Sequence, residues 1–173
     1  MKPGGGKRKG GAFEREISRH LTYWASGQCK DLWYYRSPGS GSVATVSKHM
    51  NISGDIVSLT PEADVLTNLF NIETKVGYPT TDFFHYFKKG KFNIEAFWTQ
   101  CCRDAKKSNK EPLLIYKKPP TLVGIGNFLK IEIPHITIQF DNLEDLHLYE
   151  FIKFFEVVTF ESLKELSKPN KEE

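Results

Sequence analysis

The sequence is poor in cysteine and contains no long apolar segment, and both shortages exclude classes of protein. Its 173 residues include three cysteines, Cys29, Cys101 and Cys102, which are odd in number and lack C-x-x-C spacing. Such usage argues against a disulfide framework or a structural zinc site and favours a reducing compartment. No apolar run approaches the ~20 residues that a membrane span needs, so we expect no membrane association. The basic N-terminal residues are not followed by an apolar stretch, and the segment does not resemble a signal peptide.

Positive charge is concentrated at the start of the chain. The formal net charge is +3, whereas residues 1–10 alone carry +4, from Lys2, Lys7, Arg8 and Lys9, which leaves −1 for the rest. A basic arm on a nearly neutral body suits a local contact with a polyanion. The alternative is a solvated start with scattered surface lysines. Because glycine-rich residues 1–10 cannot bury a core, we predict a flexible arm there, a single domain over 11–168 and a frayed tail over 169–173.

The spacing of apolar residues predicts a single α/β domain. Phe13, Ile17, Leu21 and Trp24 recur at helical intervals and predict a first helix over residues 11–26. Runs rich in β-branched and aromatic residues, separated by glycine and proline, predict a series of strands. This order of elements predicts a mixed sheet between helices. After the first helix we expect strands over residues 32–36, 55–59 and 69–76, a helix over 93–108, strands over 112–116, 121–125, 135–140 and 147–151, and a last helix over 160–166.

Two of the predicted strands carry charged residues that suggest a chemical function. Asp55 opens one strand, in Gly-Asp-Ile-Val, and after a turn the next strand contains Glu73-Thr-Lys75. Side chains alternate along a strand, so Glu73 and Lys75 share one face of the predicted hairpin while the apolar residues of the strand lie on the other. Glu14, on the flank of the apolar stripe of the first helix, is the acid best placed to approach the same sheet. The competing interpretation is an ordinary surface strand with alternating charges.

This combination of residues suits hydrolysis of a phosphodiester. The reaction needs an activated water and a stabilised anionic transition state, and bound Mg²⁺ provides both while preferring carboxylate oxygens. Asp55 and Glu73 would supply carboxylates, the backbone carbonyl of Thr74 a third oxygen, and Glu14 a further ligand, directly or through water. Lys75 would orient the water or offset charge on the phosphate. The sequence therefore predicts a Mg²⁺ site, in which Mn²⁺ could substitute.

Four segments together resemble the archaeal-type Holliday junction resolvases. Residues 9–16, KGGAFERE, are similar to the K-G-x-x-x-E-R-E opening of that family, and residues 35–40, YRSPGS, to its R-S-x-G-S segment. Residues 54–57, GDIV, match its D-h-h strand, where h is apolar, and residues 72–75, IETK, match its h-E-x-K. The four segments occur in the order found in the family. The resemblance implies the restriction-endonuclease-like core of the PD-(D/E)xK nucleases, an α/β fold with a central mixed sheet flanked by helices.

The resemblance also implies a role for each matching residue. Glu14, Asp55 and Glu73 would be the acidic residues around the metal, and Lys75 would be the catalytic lysine. Contacts with DNA are implied for residues of the basic arm, of the second segment and of the helix after the Glu-x-Lys strand, namely Lys7, Arg8, Lys9, Arg36, Ser37, Ser40 and Gln100. For Gln100 the alternative is an ordinary polar residue on a helix.

By this resemblance we expect a Mg²⁺-dependent endonuclease that cuts four-way DNA junctions. Paired symmetric nicks require two active sites, so we expect a homodimer. We expect no small organic cofactor, and a cytoplasmic location in a prokaryotic or phage-infected cell. The spacer between Ser40 and Asp55 is longer than in the archaeal pattern and the C-terminal third does not align with it, which suggests a phage version. Two alternatives are a general, restriction-type or RecB-like nuclease of the same fold, and a DNA-binding module without catalysis.

Overall fold

The computed structural model describes residues 5–37, 53–76 and 93–167, and the structural statements below concern these ranges. No helix within them is long and apolar enough to cross a membrane. A short 3₁₀ turn covers Pro61–Ala63. The helices are α1 (Gly5–Ser26), α2 (Asp64–Leu69), α3 (Asn93–Lys107), α4 (Phe151–Val157) and α5 (Phe160–Leu166). The strands are β1 (Tyr34–Arg36), β2 (Ile56–Ser58), β3 (Phe70–Val76), β4 (Glu111–Lys117), β5 (Leu122–Ile125), β6 (Ile136–Phe140) and β7 (Leu143–Glu150).

A five-stranded mixed sheet forms the centre of the molecule, in the order β3-β4-β5-β7-β6. β3 and β4 are parallel, because the chain between them crosses over through α3. The remaining neighbours are antiparallel. A separate antiparallel pair, β1 and β2, packs beside α1. The mixed sheet and its helices confirm the predicted α/β fold class.

Helices cover both faces of the five-stranded sheet. On one face α1, α4 and α5 enclose the larger core, in which Phe13, Ile17 and Leu21 are buried as the predicted stripe requires. On the other face α3 packs Trp98 and Cys101 against β4 and β7. The two cores hold the sheet between helical layers, and β3 forms an edge of the sheet within the described part of the chain.

α1 begins at Gly5, earlier than the start predicted at residue 11. Extending a helix that has already formed requires no new nucleation, and lysine and arginine are good helix formers. The prediction of a flexible arm rested on the inability of these residues to bury a core. Residues 5–10 of the predicted arm are therefore helical, whereas residues 1–4 and the predicted tail lie outside the described residues.

β2, which follows Asp55 directly, and β3, which carries Glu73, do not form the predicted hairpin. β2 pairs with β1 and β3 pairs with β4, so the two strands belong to different sheets. The predicted turn between them contains the 3₁₀ turn and α2 instead. Proline favours the first position of a helix, and burial of Leu66 and Thr67 supports the short helix that follows.

α4 is a second helix that the sequence pattern did not predict. The strand predicted over residues 147–151 begins earlier, as β7, and ends at Glu150, where the chain turns into the helix. Phe151 and Phe154 are buried three residues apart, a spacing that suits one face of a helix. A short apolar run fits either element, and burial against α1 and the sheet favours the helix.

Candidate active site

A glycine turn brings Asp55 against β3. Gly54 has a φ of +78°, in the left-handed region that glycine adopts at little steric cost. A Cβ built on Gly54 would lie 2.6 Å from the carbonyl oxygen and 2.8 Å from the nitrogen of Ile72. This close approach lets the Asp55 N–H donate to the Ile72 carbonyl at 2.7 Å. The Ser37 N–H donates to the Asp55 carbonyl at 2.6 Å, which ties the end of β1 to the same turn.

Thr74 fixes the carboxylate of Asp55 on the outer edge of β3. Oδ2 of Asp55 accepts hydrogen bonds from the backbone nitrogen of Thr74 at 2.8 Å and from its hydroxyl at 3.1 Å. The backbone donor is available because β3 is an edge strand on this side. Asp55 therefore lies beside the strand position between Glu73 and Lys75.

Glu73, Lys75 and Gln100 form a closed hydrogen-bonded group. The Lys75 ammonium donates to Oε1 of Glu73 and, at 3.0 Å, to Oε1 of Gln100. Nε2 of Gln100 donates to Oε1 of Glu73 at 2.9 Å. Glu73 is 6% exposed, and the ammonium also lies 5.6 Å from the centre of the Phe97 ring. α3 thus supplies an amide and an aromatic ring that orient the Glu-x-Lys pair.

Glu14 approaches the site from α1. Its Oε2 lies 3.7 Å from Nη1 of Arg36, at the end of β1. The Ser18 hydroxyl donates to the Glu14 carbonyl at 2.8 Å, within the helix. Glu14 and Asp55 interact electrostatically, so the acid on the helix belongs to the same cluster as the acid on the turn.

The carboxylates of the site crowd one another. Burial raises the pKa of Glu73 above its ordinary value, and the negative charge of Asp55 raises it further, against the opposing effect of Lys75. Burial likewise raises the pKa of Glu14, again with a contribution from Asp55, while Arg36 and Arg15 lower it. Excess negative charge in a partly buried cluster favours a bound cation.

The donor set of the cluster fits a hard cation. Carboxylate oxygens of Asp55, Glu73 and Glu14, with the carbonyl of Thr74, are the oxygen ligands that Mg²⁺ takes in proteins. Within the described ranges, no three His, Cys, Asp or Glu side chains already converge as a complete ligand set. Asp55 is held by Thr74, and Glu73 by Lys75 and Gln100. The residues are therefore neighbours that a cation could draw together, with solvent completing its coordination.

The remaining predicted residues fall into four groups. Arg36 and Gln100, both predicted to contact DNA, lie at the site itself, against Glu14 and against Glu73 with Lys75. Ser37 contributes its backbone to the Asp55 turn. The backbones of Lys7 and Arg8 and the exposed Lys9 lie in the first turns of α1. Ser40 lies outside the described residues.

Three features of the site were not predicted from the sequence. The hydroxyl and backbone nitrogen of Thr74 hold Asp55, whereas only its carbonyl was considered. Phe97 was assigned to the core alone, although its ring also faces Lys75. Gly54 was included in the Gly-Asp-Ile-Val motif, but no structural reason was given for a glycine at that position. A glycine directly before a strand that opens with a charged residue is a signal that could have indicated a close backbone approach.

Replacing Glu14 by glutamine should stabilise the fold at neutral pH. A raised pKa means that the folded state binds the proton more tightly than the unfolded state, so ionisation of Glu14 weakens the fold. We expect Glu14→Gln to have a higher free energy of unfolding than the wild type at about pH 8, and the two proteins to converge below about pH 4, where both are uncharged at this position. Urea denaturation at both pH values measures the difference. The account is contradicted if Glu14→Gln is less stable than the wild type at pH 8. It is also contradicted if the free energy of unfolding rises no more than in the exposed control Glu161→Gln.

These elements define a class of protein. An α/β core in which an aspartate and a Glu-x-Lys pair meet at one edge of a mixed sheet is the arrangement of the PD-(D/E)xK nucleases. The chain matches the family described as "Phage putative PDDEXK endonuclease" over residues 5–172, nearly its full length, and belongs to that family. No curated protein and no solved structure matches the chain. The predictions of a nuclease and of a phage family are confirmed, and the four-way junction as substrate stays a prediction.

Proposed function

We propose that this protein is a Mg²⁺-dependent, structure-selective DNA endonuclease that makes paired nicks in four-way junctions. The observation that carries the proposal is the meeting of Asp55, Glu73 and Lys75 at the edge of β3. Two carboxylates beside an ammonium group suit the hydrolysis of a phosphodiester by a metal-activated water. Glu14 adds a third carboxylate from α1.

Each residue has a role that follows from its contacts. Mg²⁺, when bound, lowers the pKa of a coordinated water and offsets charge on the phosphate. Asp55 and Glu73 would hold the ion, with the Thr74 carbonyl and Glu14 as further oxygen ligands. The Lys75 ammonium has three N–H donors, of which Glu73 and Gln100 accept two, so the third can donate to the attacking water or to a phosphate oxygen.

The junction and the homodimer rest on the sequence resemblance. Four segments in the order of the junction resolvases include Arg36 and Ser37, which here lie beside Glu14 and Asp55. A two-fold dimer would place two such sites for symmetric nicks. Binding would depend mainly on phosphates and on DNA shape, and would weaken steeply with salt. We place this activity in the cytoplasm of a prokaryotic or phage-infected cell.

A general nuclease of the same fold is the second candidate. It uses the same residues and differs in the DNA that reaches them, and the family to which the chain belongs is described as an endonuclease, with no junction as its substrate. A DNA-binding module without catalysis is disfavoured on physical grounds. Such a module has no use for a buried Glu73 whose ionisation opposes folding.

Cleavage of a panel of labelled DNAs distinguishes these candidates. The panel contains a four-way junction, a linear duplex, a nicked duplex and a single strand, each incubated with protein and Mg²⁺, with Asp55→Asn as the inactive control. Paired symmetric nicks in the junction alone support the junction resolvase. Equal rates on linear DNA favour the general nuclease, and binding without cutting in Mg²⁺ or Mn²⁺ overturns both.

Mg²⁺ should stabilise the folded protein through the same site. A ligand that binds only the folded state adds about 2.7 kcal/mol at about one hundred times its Kd, which corresponds to roughly 5–10 °C in Tm for a domain of this size. We expect this shift for the wild type and none for Asp55→Asn, measured by thermal unfolding with Mg²⁺ and with EDTA. An equal shift in both proteins would mean that the ion binds elsewhere.

A further inference from the structure

A groove runs along the outer face of α1, outside the candidate active site. Its volume is about 700 Å³. Three lining residues, Arg15, Arg19 and Tyr23, recur every four positions and therefore form one row on the helix surface. The complete lining consists of Ala12, Arg15, Glu16, Arg19, His20, Tyr23 and Cys29.

The positive charge of this row is balanced only in part within the described part of the chain, where the Arg15 guanidinium helps to lower the pKa of Glu14. Neither Arg15 nor Arg19 forms an ion pair there. Glu16 is the acid among the described lining residues, and its carboxylate accepts a hydrogen bond from the Lys117 ammonium. The groove therefore presents net positive charge to whatever enters it.

A comparable row on α3 is partly neutralised. Arg103 and Lys107 both bind Asp104, at 3.2 and 2.8 Å. These ion pairs hold the pKa of Asp104 at about 2, well below its ordinary value. Of these two rows, the α1 row is the one whose cations form no ion pair within the described residues.

The groove is continuous with the candidate active site. A methyl group built on Gly11 would lie 2.5 Å from Nη1 of Arg36 and 3.6 Å from Nη1 of Arg15. The two guanidinium groups are thus neighbours across the helix surface. Arg36 in turn pairs with Glu14, so basic groups extend without a break from the acidic cluster onto the outer face of α1.

We propose that this groove holds one strand of the DNA substrate, with unpaired nucleotides, as the strand leaves the active site. Four residues of helix rise about 6 Å, comparable to the spacing of successive phosphates, so Arg15 and Arg19 can bind neighbouring phosphates. Tyr23, which is 60% exposed, continues the row and offers its ring to a base. Stacking on an aromatic ring needs a base that is not paired in a duplex.

This inference rests on the proposed nuclease function for its substrate and assigns that substrate a structural class. The enzyme would act on DNA that carries unpaired nucleotides next to the scissile phosphate, which in a four-way junction requires base pairs at the branch point to open. The strand would lie along α1, with Arg19 and Tyr23 as binding residues that do not touch the reacting atoms.

Cys29 provides a native reporter for occupancy of the groove. It lines the groove and is exposed, whereas Cys101 is buried. Burial, with the nearby Glu144, raises the pKa of Cys102 to about 12, so this thiol supplies little thiolate. Alkylation of Cys29 by iodoacetamide, followed by peptide mass spectrometry, therefore reports on the groove. With a single-stranded oligonucleotide at about ten times its Kd and no divalent metal, we expect the rate to fall about tenfold.

Variants of the row test the same contact by affinity. Fluorescence anisotropy, without divalent metal, compares a single strand, a duplex of equal length and a four-way junction. Arg19→Ala should flatten the dependence of log K on log salt by about 0.7–0.9, the value for one lost phosphate contact. Lys130→Ala, which removes an exposed charge outside the groove, should leave the slope unchanged. Tyr23→Ala should weaken the affinity for the single strand and for the junction roughly fivefold or more. Its affinity for the plain duplex should change little, and Tyr23→Phe should bind all three DNAs nearly as the wild type does.

The outcomes separate this inference from the proposed function. If Cys29 reacts equally fast with and without DNA, or if Arg19→Ala behaves like Lys130→Ala, the groove does not hold DNA, and cleavage by the wild type still supports the nuclease. If DNA protects Cys29 of the wild type from alkylation but the protein cuts no DNA, the groove binds DNA and the proposed nuclease function is wrong. Protection that depends on protein concentration without DNA means that a second copy of the chain fills the groove, which overturns the proposal.

Discussion

Glu73→Gln is expected to abolish DNA cleavage while the protein still folds and binds DNA. Glutamine keeps the length of the side chain and an oxygen that can accept from Lys75 and Gln100, as Oε1 of Glu73 does. It removes the negative charge that would hold Mg²⁺. Loss of several kcal/mol of transition-state stabilisation corresponds to a rate lower by roughly 1,000-fold. Single-turnover cleavage of the labelled junction measures this effect.

The matched control makes the same chemical change far from the site. Glu161 lies in α5, is exposed and pairs with Lys164 at 3.1 Å. Glu161→Gln should cleave at the rate of the wild type. Circular dichroism and anisotropy on the same DNA check that both variants are folded and bind. Cleavage by Glu73→Gln within about tenfold of the wild type, a cost of only about 1.4 kcal/mol, would exclude Glu73 as a metal ligand.

Gly54→Ala is expected to be the most destabilising single substitution at the site. Alanine at a φ of +78° is strained, and its Cβ would lie 2.6 Å from a backbone oxygen of β3, which cannot move aside as a side chain can. The strain and the clash together should cost about 3 kcal/mol or more. Asp55 follows Gly54 directly, so cleavage should fall with the displacement of its carboxylate from Thr74.

Gly27 offers a control that separates the two contributions. It has a similar φ of +70°, at the end of α1, and a Cβ built on it would meet no atom within 4 Å. Gly27→Ala should therefore cost only the conformational strain, about 1 kcal/mol, and leave cleavage unchanged. Urea denaturation of both variants gives the comparison. Equal losses of stability would show that the backbone of β3 does not obstruct a side chain at residue 54.

The order of most elements, and the residues that meet at the candidate site, could be predicted because they depend on local patterns. Helical spacing of Phe13, Ile17 and Leu21 located α1, and alternation along β3 separated Glu73 and Lys75 from the apolar face. The order of the motifs predicted that Glu14 and Asp55 belong to one metal site. The structure places both acids in one cluster with Glu73.

What could not be predicted depends on contacts between distant parts of the chain. α2 and α4 are short apolar runs whose helical form is favoured by burial against other elements. The predicted hairpin was wrong because β2 pairs with β1. The spacing of residues along the chain does not indicate which strand pairs with which. The groove on α1 was not predicted either. Outward-facing arginines suggest an anion-binding surface only when the structure shows which other charged residues are already paired.

The most direct test of the proposed chemistry is single-turnover cleavage of a labelled four-way junction by the wild type and by Asp55→Asn. Each protein is measured in Mg²⁺ and in EDTA. Asparagine keeps an oxygen that can accept from Thr74, so the variant should fold and bind while losing the charge that a metal needs. We predict cutting by the wild type in Mg²⁺ alone and none by Asp55→Asn in either condition. Equal cutting by both proteins, or cutting by the wild type that persists in EDTA, would contradict a metal site built on Asp55.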